Sequence, residues 1–158
     1  MGYAMSNLDE YLPPLARRIL VVQPDGPHRK ALLGALTLWG FEAFAADGLG
    51  DANGQLIHQP DFILVDHQLP DGTCVDFLRR LRRRDDPAIV AVMLGADERW
   101  LPELPALRPD AVFRKPVNTI WLHAWLQDRK PAVVRWNRTG MANRRTLAVA
   151  APTIERVQ

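Results

Sequence analysis

An aspartate directly after an apolar run is the residue of this chain best placed for chemistry. Residues 62–65 are all apolar, Asp66 follows at once, and Pro70 and Gly72 close the loop behind it. Four consecutive apolar residues predict a strand buried on both faces of a parallel sheet, and ligands bind at the carboxyl ends of such strands. A carboxylate there needs a partner, because burying an unpaired charge is costly. Asp66 is therefore a candidate site residue, with capping of the following loop or helix as the alternative.

Apolar runs and amphipathic segments alternate along the chain, and they predict the elements that position this carboxylate. We predict strands at residues 19–22, 41–46, 62–65, 88–94 and 110–114, and helices at residues 28–39, 52–58, 74–84 and 119–127. Prolines at 102, 105 and 109 leave the stretch 97–109 at best one or two broken helical turns. The pattern is typical of an α/β fold, a doubly wound domain built on a five-stranded parallel sheet.

The length of 158 residues predicts one domain with short additions. We predict a leader at residues 1–15, the domain at residues 16–128 and a basic tail at residues 129–158. The tail holds 7 Lys and Arg against 1 acidic residue, whereas residues 1–128 hold 13 against 17, so the net charges are +6 and −4. Two apolar runs around a loop with Gly and Asn predict a β-hairpin in the tail. A disordered basic arm is the alternative.

Composition excludes several classes of protein. The single Cys74 rules out an internal disulfide framework, and the 4 histidines show no metal-ligand spacing. No apolar run approaches the roughly 20 residues that a membrane-spanning helix needs. Residues 1–14 lack the pattern of a secretory signal, and we therefore expect a cytoplasmic protein.

Four segments of the chain come in an order that points to a known family. They are the strand at residues 19–22, the Asp66 strand with its Leu69-Pro70-x-Gly72 loop, the strand end at Met93, Leu94 and Ala96, and the pair Lys115-Pro116. Together they resemble the receiver domain of two-component response regulators, the CheY-like family. The resemblance covers about residues 17–128. It implies a flavodoxin-like sheet of strand order 2-1-3-4-5, with its site at the carboxyl ends of strands 1 and 3.

The resemblance implies a phosphoryl-accepting switch rather than an enzyme. Asp66 would take a phosphoryl group from a partner histidine kinase. A Mg²⁺ ion would sit between an acidic pair after strand 1, Asp66 and the backbone carbonyl of Gln68. Lys115 would bind the phosphoryl oxygens as a point charge, because charge developing on the transferred group must be offset.

The chain departs from the family pattern around Asp66. The acidic pair of the family falls on Gln23 and Pro24, and neither can be a carboxylate ligand for Mg²⁺. Asp25 is a possible substitute, although one place downstream its side chain is expected to point elsewhere. The hydroxyl residue that contacts the phosphoryl group falls on Gly95, and the switch aromatic falls on Val112.

These departures favour an atypical receiver that acts mainly through protein–protein contact, with no Mg²⁺ binding or only weak binding. With fewer acids nearby, Lys115 is expected to form a direct ion pair with Asp66. Two alternatives stay open. Asp66 could still be phosphorylated by a histidine kinase, or the chain could be a transcription regulator that binds nucleic acid through Arg138, Arg144 and Arg145 of the tail.

Two tryptophans of the last predicted helix are candidates for an interface. Trp121 and Trp125 are four residues apart, which predicts that they share one helix face. In receivers this region is a usual partner surface, so an exposed aromatic pair would suit a protein partner or a homodimer. Packing of both rings under the tail is the alternative.

Overall fold

The computed structural model describes residues 17–95 and 102–129. Its main sheet has five parallel strands, which are β1 (Arg18–Val22), β2 (Glu42–Ala46), β3 (Phe62–Asp66), β4 (Ile89–Leu94) and β5 (Ala111–Arg114). The helices are α1 (Pro27–Leu38), α2 (Leu49–Gln55), α3 (Cys74–Arg83), α4 (Leu104–Leu107) and α5 (Thr119–Asp128). The strands lie in the order β2-β1-β3-β4-β5, which confirms the predicted flavodoxin-like α/β fold.

The central strand β3 is buried along its whole length, as its apolar run predicts. It pairs in parallel with β1 on one side and with β4 on the other. Ile63 and Val65 pack in a core with residues of α2, α3 and α4, while Phe62 and Leu64 pack in a second core with residues of α1 and α5. Helices therefore cover both faces of the sheet, which is why its strands are apolar without alternation.

A short hairpin that the sequence did not predict follows β3. Gln68–Leu69 pairs antiparallel with Gly72–Thr73. Gly72 has a φ of 154°, and a Cβ at this position would lie 2.3 Å from the Cδ1 atom of Leu49. Only glycine fits such a turn without strain or collision. The hairpin thus brings the loop after β3 into contact with the start of α2.

Helix α3 begins directly after this hairpin with a capping box. The Oγ1 atom of Thr73 accepts a hydrogen bond from the N–H of Asp76 at 3.4 Å, and the Asp76 carboxylate accepts one from the N–H of Thr73 at 3.1 Å. The two bonds satisfy N–H groups that the first turn of a helix leaves without an intrahelical partner. The loop after β3 is therefore fixed at its far end.

Two predicted boundaries were wrong. Helix α2 starts at Leu49, three residues before the predicted position, and it continues into a single 3₁₀ turn at Leu56–His58. Gly50 and Gly54 thus lie inside the helix, where packing and capping outweigh their low propensity. Asp66 is the last residue of β3 and not the first residue after it, since it is still in register with Met93 of β4.

The proline-rich segment after β4 is described from residue 102 on, and there it contains the single turn α4. This confirms the prediction of broken turns for the described part of that segment. The predicted leader lies outside the described residues, and so does the tail from residue 130 on, with its predicted hairpin. Within the described ranges, no helix is long and apolar enough to cross a membrane.

The two tryptophans of α5 do not form an exposed pair. Trp121 is 60% exposed in the first turn of the helix, whereas Trp125 is only 6% exposed. The ring of Trp125 packs edge-on against Phe62 of β3 and Phe113 of β5, at centroid distances of 6.0 and 5.7 Å. The prediction of Trp125 as an interface residue was wrong, because this side chain fills the core under α5.

The two tryptophans offer a matched test of this packing. We expect Trp125→Ala to lower the free energy of unfolding by about 3–5 kcal/mol, since it removes a large buried ring. Trp121→Ala should change it by no more than about 0.5 kcal/mol, because that ring is mostly in solvent. Urea unfolding followed by far-ultraviolet circular dichroism measures both. Equal effects of the two substitutions would contradict the assignment of Trp125 to the core.

Candidate functional site

The site is built around an ion pair between Asp66 and Lys115. Asp66 ends β3 and Lys115 follows β5, so the parallel strands bring both residues to the same edge of the sheet. The Lys115 Nζ atom donates a hydrogen bond to Asp66 Oδ1 at 2.5 Å. The side chain of Asp66 is 8% exposed and that of Lys115 is 34% exposed. The predicted ion pair is confirmed, and it supplies the partner that a nearly buried carboxylate requires.

A second donor reaches the other oxygen of the Asp66 carboxylate. Gln23 follows β1, and its backbone N–H donates to the carbonyl of Ala46 at 3.0 Å. From this position its Nε2 atom donates to Asp66 Oδ2 at 3.4 Å. Gln23 is buried, and its Oε1 atom has no hydrogen-bond partner among the described residues. A neutral amide thus stands where the family pattern places an acid, and each Asp66 oxygen has a donor.

Arg29, in the first turn of α1, forms ion pairs with two other acids at this edge of the sheet. The guanidinium of Arg29 pairs with Asp25 at 2.9 Å and with Asp47, which directly follows β2. It also donates to the backbone carbonyl of Gln23 at 2.9 Å. The hydrogen bond to Asp47 raises the pKa of Arg29, as does attraction to Asp47 and Asp25, although burial opposes them. Arg29 is therefore charged at neutral pH.

The donor set does not fit the magnesium site that the resemblance implies. Such a site needs an acidic pair beside the phosphoacceptor. Here both oxygens of Asp66 face nitrogen donors, and Asp25 is paired with Arg29. Among the described residues, no group of three or more His, Cys, Asp and Glu side chains could hold a metal ion.

The remaining predicted site residues lie on separate segments. Gln68 is exposed in the hairpin after β3, where it pairs with Thr73. Gly95 follows β4, and its carbonyl accepts a long hydrogen bond from Arg114 at 3.5 Å. Val112 is half-buried in β5 and packs against the core beneath α2, α3 and α4. The tail arginines, Arg138, Arg144 and Arg145, lie outside the described residues, and their role stays a prediction.

Asp71, which sequence reasoning passed over, connects the loop after β3 to α2. Its carboxylate accepts hydrogen bonds from the N–H groups of Leu49 and Gly50, at 2.6 and 2.9 Å. A Cβ at Gly48 would lie 2.5 Å from Asp71 Oδ1, so only glycine leaves room for this approach. The N–H groups of Gly50 and Leu49 hold the pKa of the Asp71 carboxyl below its usual value. The glycines before and in α2 were the available signal, since they permit another chain segment to come close.

Comparison with solved structures identifies the fold class of this domain. A response regulator receiver domain (CheY-like) from Methylobacillus flagellatus matches with a TM-score of 0.64 at 21% sequence identity, over 72% of this chain and 98% of that chain. A response regulator receiver protein from Pseudomonas putida matches with a TM-score of 0.64 at 23% identity, over 72% and 98%. The described part of the chain has the fold of a CheY-like receiver domain.

Relatives in sequence agree with this class. The phosphate regulon transcriptional regulatory protein PhoB of Escherichia coli (strain K12) is 36% identical over 89 residues, which are 53% of this chain and 39% of that protein. PhoB of Pseudomonas aeruginosa is 30% identical over 131 residues, or 80% of this chain and 54% of that protein. The chain spans about half the length, or less, of these relatives. No family model matches the chain.

The coupling of the ion pair can be measured by a double-mutant cycle. We expect Lys115→Met to lower the free energy of unfolding by about 1–3 kcal/mol, because it leaves the Asp66 carboxylate buried with a single weak donor. Adding Asp66→Asn to this variant should restore most of the loss, since the unpaired charge is then gone. Urea unfolding of the wild type, both single variants and the double variant gives the coupling energy. Additive effects would show that the two side chains do not depend on each other.

The low pKa of Asp71 predicts how its contribution varies with pH. A carboxyl whose pKa is lower in the folded state stabilises the fold above its unfolded pKa of about 3.9. That stabilisation is lost as the pH falls through the folded pKa. We therefore expect Asp71→Ala to have a lower Tm than the wild type at neutral pH, and the difference to shrink below about pH 4. Thermal unfolding across a pH series measures it, with Glu103→Ala as the control, since Glu103 is an exposed acid before α4 whose side chain makes no capping hydrogen bond. A difference independent of pH would contradict the role of the charge.

Proposed function

We propose that this domain is an atypical receiver module of a two-component or phosphorelay system that acts mainly through protein–protein contact. The observation that supports the proposal is that both carboxylate oxygens of Asp66 are already hydrogen-bonded within the protein. Its two oxygens already accept bonds from Lys115 and Gln23, and the carboxylate is nearly buried. The resting charge of Asp66 is thereby offset within the protein, without the metal ion on which phosphoryl transfer to a carboxylate depends.

A partner surface for such a module is available on α5. The first turn of this helix exposes Ile120 and Trp121, at 79% and 60%. Exposed aromatic and aliphatic side chains are the usual anchors of protein interfaces. A histidine kinase, a downstream regulator or a second copy of the chain is the kind of partner that this proposal requires.

The second candidate function is a receiver that is still phosphorylated on Asp66 by a histidine kinase. One observation favours it. The Oε1 atom of Gln23 is buried without a hydrogen-bond partner in the part of the chain that the structure describes, and an amide oxygen is an acceptable ligand for a hard cation. If the amide turned this oxygen toward Asp66, the pair could offer two oxygen ligands for weak Mg²⁺ binding. Lys115 would then have to leave Asp66 Oδ1 and bind the phosphoryl oxygens.

Phosphorylation by a small donor separates the two functions. We expect the full chain, incubated with Mg²⁺ and acetyl phosphate, to gain no phosphoryl group by intact-mass spectrometry. The double variant Gln23→Asp with Pro24→Asp restores the acidic pair, so it should gain one phosphoryl group in a Mg²⁺-dependent manner. This variant also shows that the donor is competent.

The controls fix the position of any modification. Stoichiometric phosphorylation of the wild-type chain that is lost in Asp66→Asn, but kept in Asp71→Asn, would overturn the proposal in favour of the second candidate. Asp71 is a suitable control because it lies in the same loop, is exposed, and holds the N-terminus of α2 instead of contacting Lys115.

A further inference from the structure

Arg29 differs from an ordinary surface arginine of a helix. Its side chain is only 12% exposed, although the residues on either side of it in the chain are exposed. Its Nε atom is buried without a hydrogen-bond partner among the described residues. Removing a charged group from water costs free energy, and interactions with neighbouring groups must offset that cost. The compensation comes from oxygen atoms on three positions of the chain.

The oxygens around Arg29 are those that a hard divalent cation prefers. They are a carboxylate of Asp25 after β1, a carboxylate of Asp47 after β2, and the backbone carbonyl of Gln23. Carboxylate and carbonyl oxygens from neighbouring loops are the usual protein ligands of such ions. The planar guanidinium can satisfy several of them at once, because it donates in a fixed fork.

We propose that the guanidinium of Arg29 is the cation that holds the loops at this edge of the sheet together, in place of the metal ion that the site does not accommodate. The proposal rests on the function proposed above, in which the site works without Mg²⁺. Arg29 joins the loop after β1 to the end of β2 by forming ion pairs with both Asp25 and Asp47. These two acids are therefore unavailable to a divalent ion while Arg29 is present.

Arg29 is also a positioning residue for the site. Its hydrogen bond to the Gln23 carbonyl fixes the backbone of the residue whose amide donates to Asp66. Two cations of the protein thus pair with the acids at this edge of the sheet: Lys115 pairs with Asp66, and Arg29 pairs with Asp25 and Asp47. The three carboxylates and the two cations together carry a formal net charge of −1.

Removal of Arg29 provides the test, with Arg18 as the matched control. Arg18 lies at the opposite end of β1 and pairs with Glu42 at 3.1 Å, but it joins no second acidic side chain by a salt bridge among the described residues. The variants Arg29→Met and Arg18→Met each remove one paired arginine. Calorimetric titration with Mg²⁺ and thermal unfolding with MgCl₂, against NaCl at matched ionic strength, are measured on the full chain.

The proposal predicts a metal response in one variant only. Wild type and Arg18→Met should show no saturable Mg²⁺ binding and no Mg²⁺-specific gain in Tm. Arg29→Met should have a lower Tm than wild type, show saturable Mg²⁺ binding, and regain part of its Tm with MgCl₂. Arg29→Lys keeps the charge and should show no Mg²⁺ response. If Arg29→Met does not fold, Arg29→Gln takes its place in the same measurements.

A spectroscopic readout tests the positioning role separately. The side-chain amide resonances of Gln23 should shift in Arg29→Met and stay unchanged in Arg18→Met. Arg29→Met that responds to Mg²⁺ no more than Arg18→Met would overturn this inference alone and leave the proposed function standing. Saturable Mg²⁺ binding by the wild type would overturn both.

Discussion

The structure depends on the need to neutralise one carboxylate that is almost out of contact with water. A buried charge is tolerated only when its partners are fixed and close. Asp66 meets this condition because three strands of the sheet end at the same edge, so that Lys115 after β5 and Gln23 after β1 both reach it. The order of the strands is therefore not incidental to the site. The strand order brings Gln23 and Lys115, which lie 43 and 49 positions from Asp66 in sequence, within hydrogen-bonding distance of its carboxylate.

The parts of the fold that depend on local sequence could be predicted. Apolar runs located the five strands to within a residue or two, because a strand covered on both faces has no polar alternation to obscure it. The Asp66–Lys115 pair was predicted in another way, from the family resemblance and from the scarcity of other acids near Lys115. Contacts between distant loops could not be predicted in this way. Asp71 and Arg29 look like ordinary loop and surface residues, and only tertiary structure shows which oxygens and amides they bind. The prediction for Trp125 was wrong for a related reason, because helical spacing shows which residues share a helix face but not what covers that face.

The acids at this edge of the sheet are paired with cationic side chains of the protein itself. Arg29 and Lys115 are fixed to the backbone, whereas a metal ion exchanges with solvent and can be removed. The domain keeps the receiver fold, and the comparisons with receiver structures concern this scaffold. The fold alone does not determine the chemistry, which depends on the residues at the strand ends.

The bonds between Asp71 and the first turn of α2 have a mechanical consequence. The loop after Asp66 is held at one end by β3 and at the other by the capping box of α3, and Asp71 ties its middle to a neighbouring helix. A displacement of this loop must therefore carry α2 with it or break two hydrogen bonds together. Helix α4 is a single turn and offers little rigid length to transmit a movement. Helix α2 is therefore coupled to the loop by contacts distant in sequence, and this coupling lies on the β2 side of the sheet.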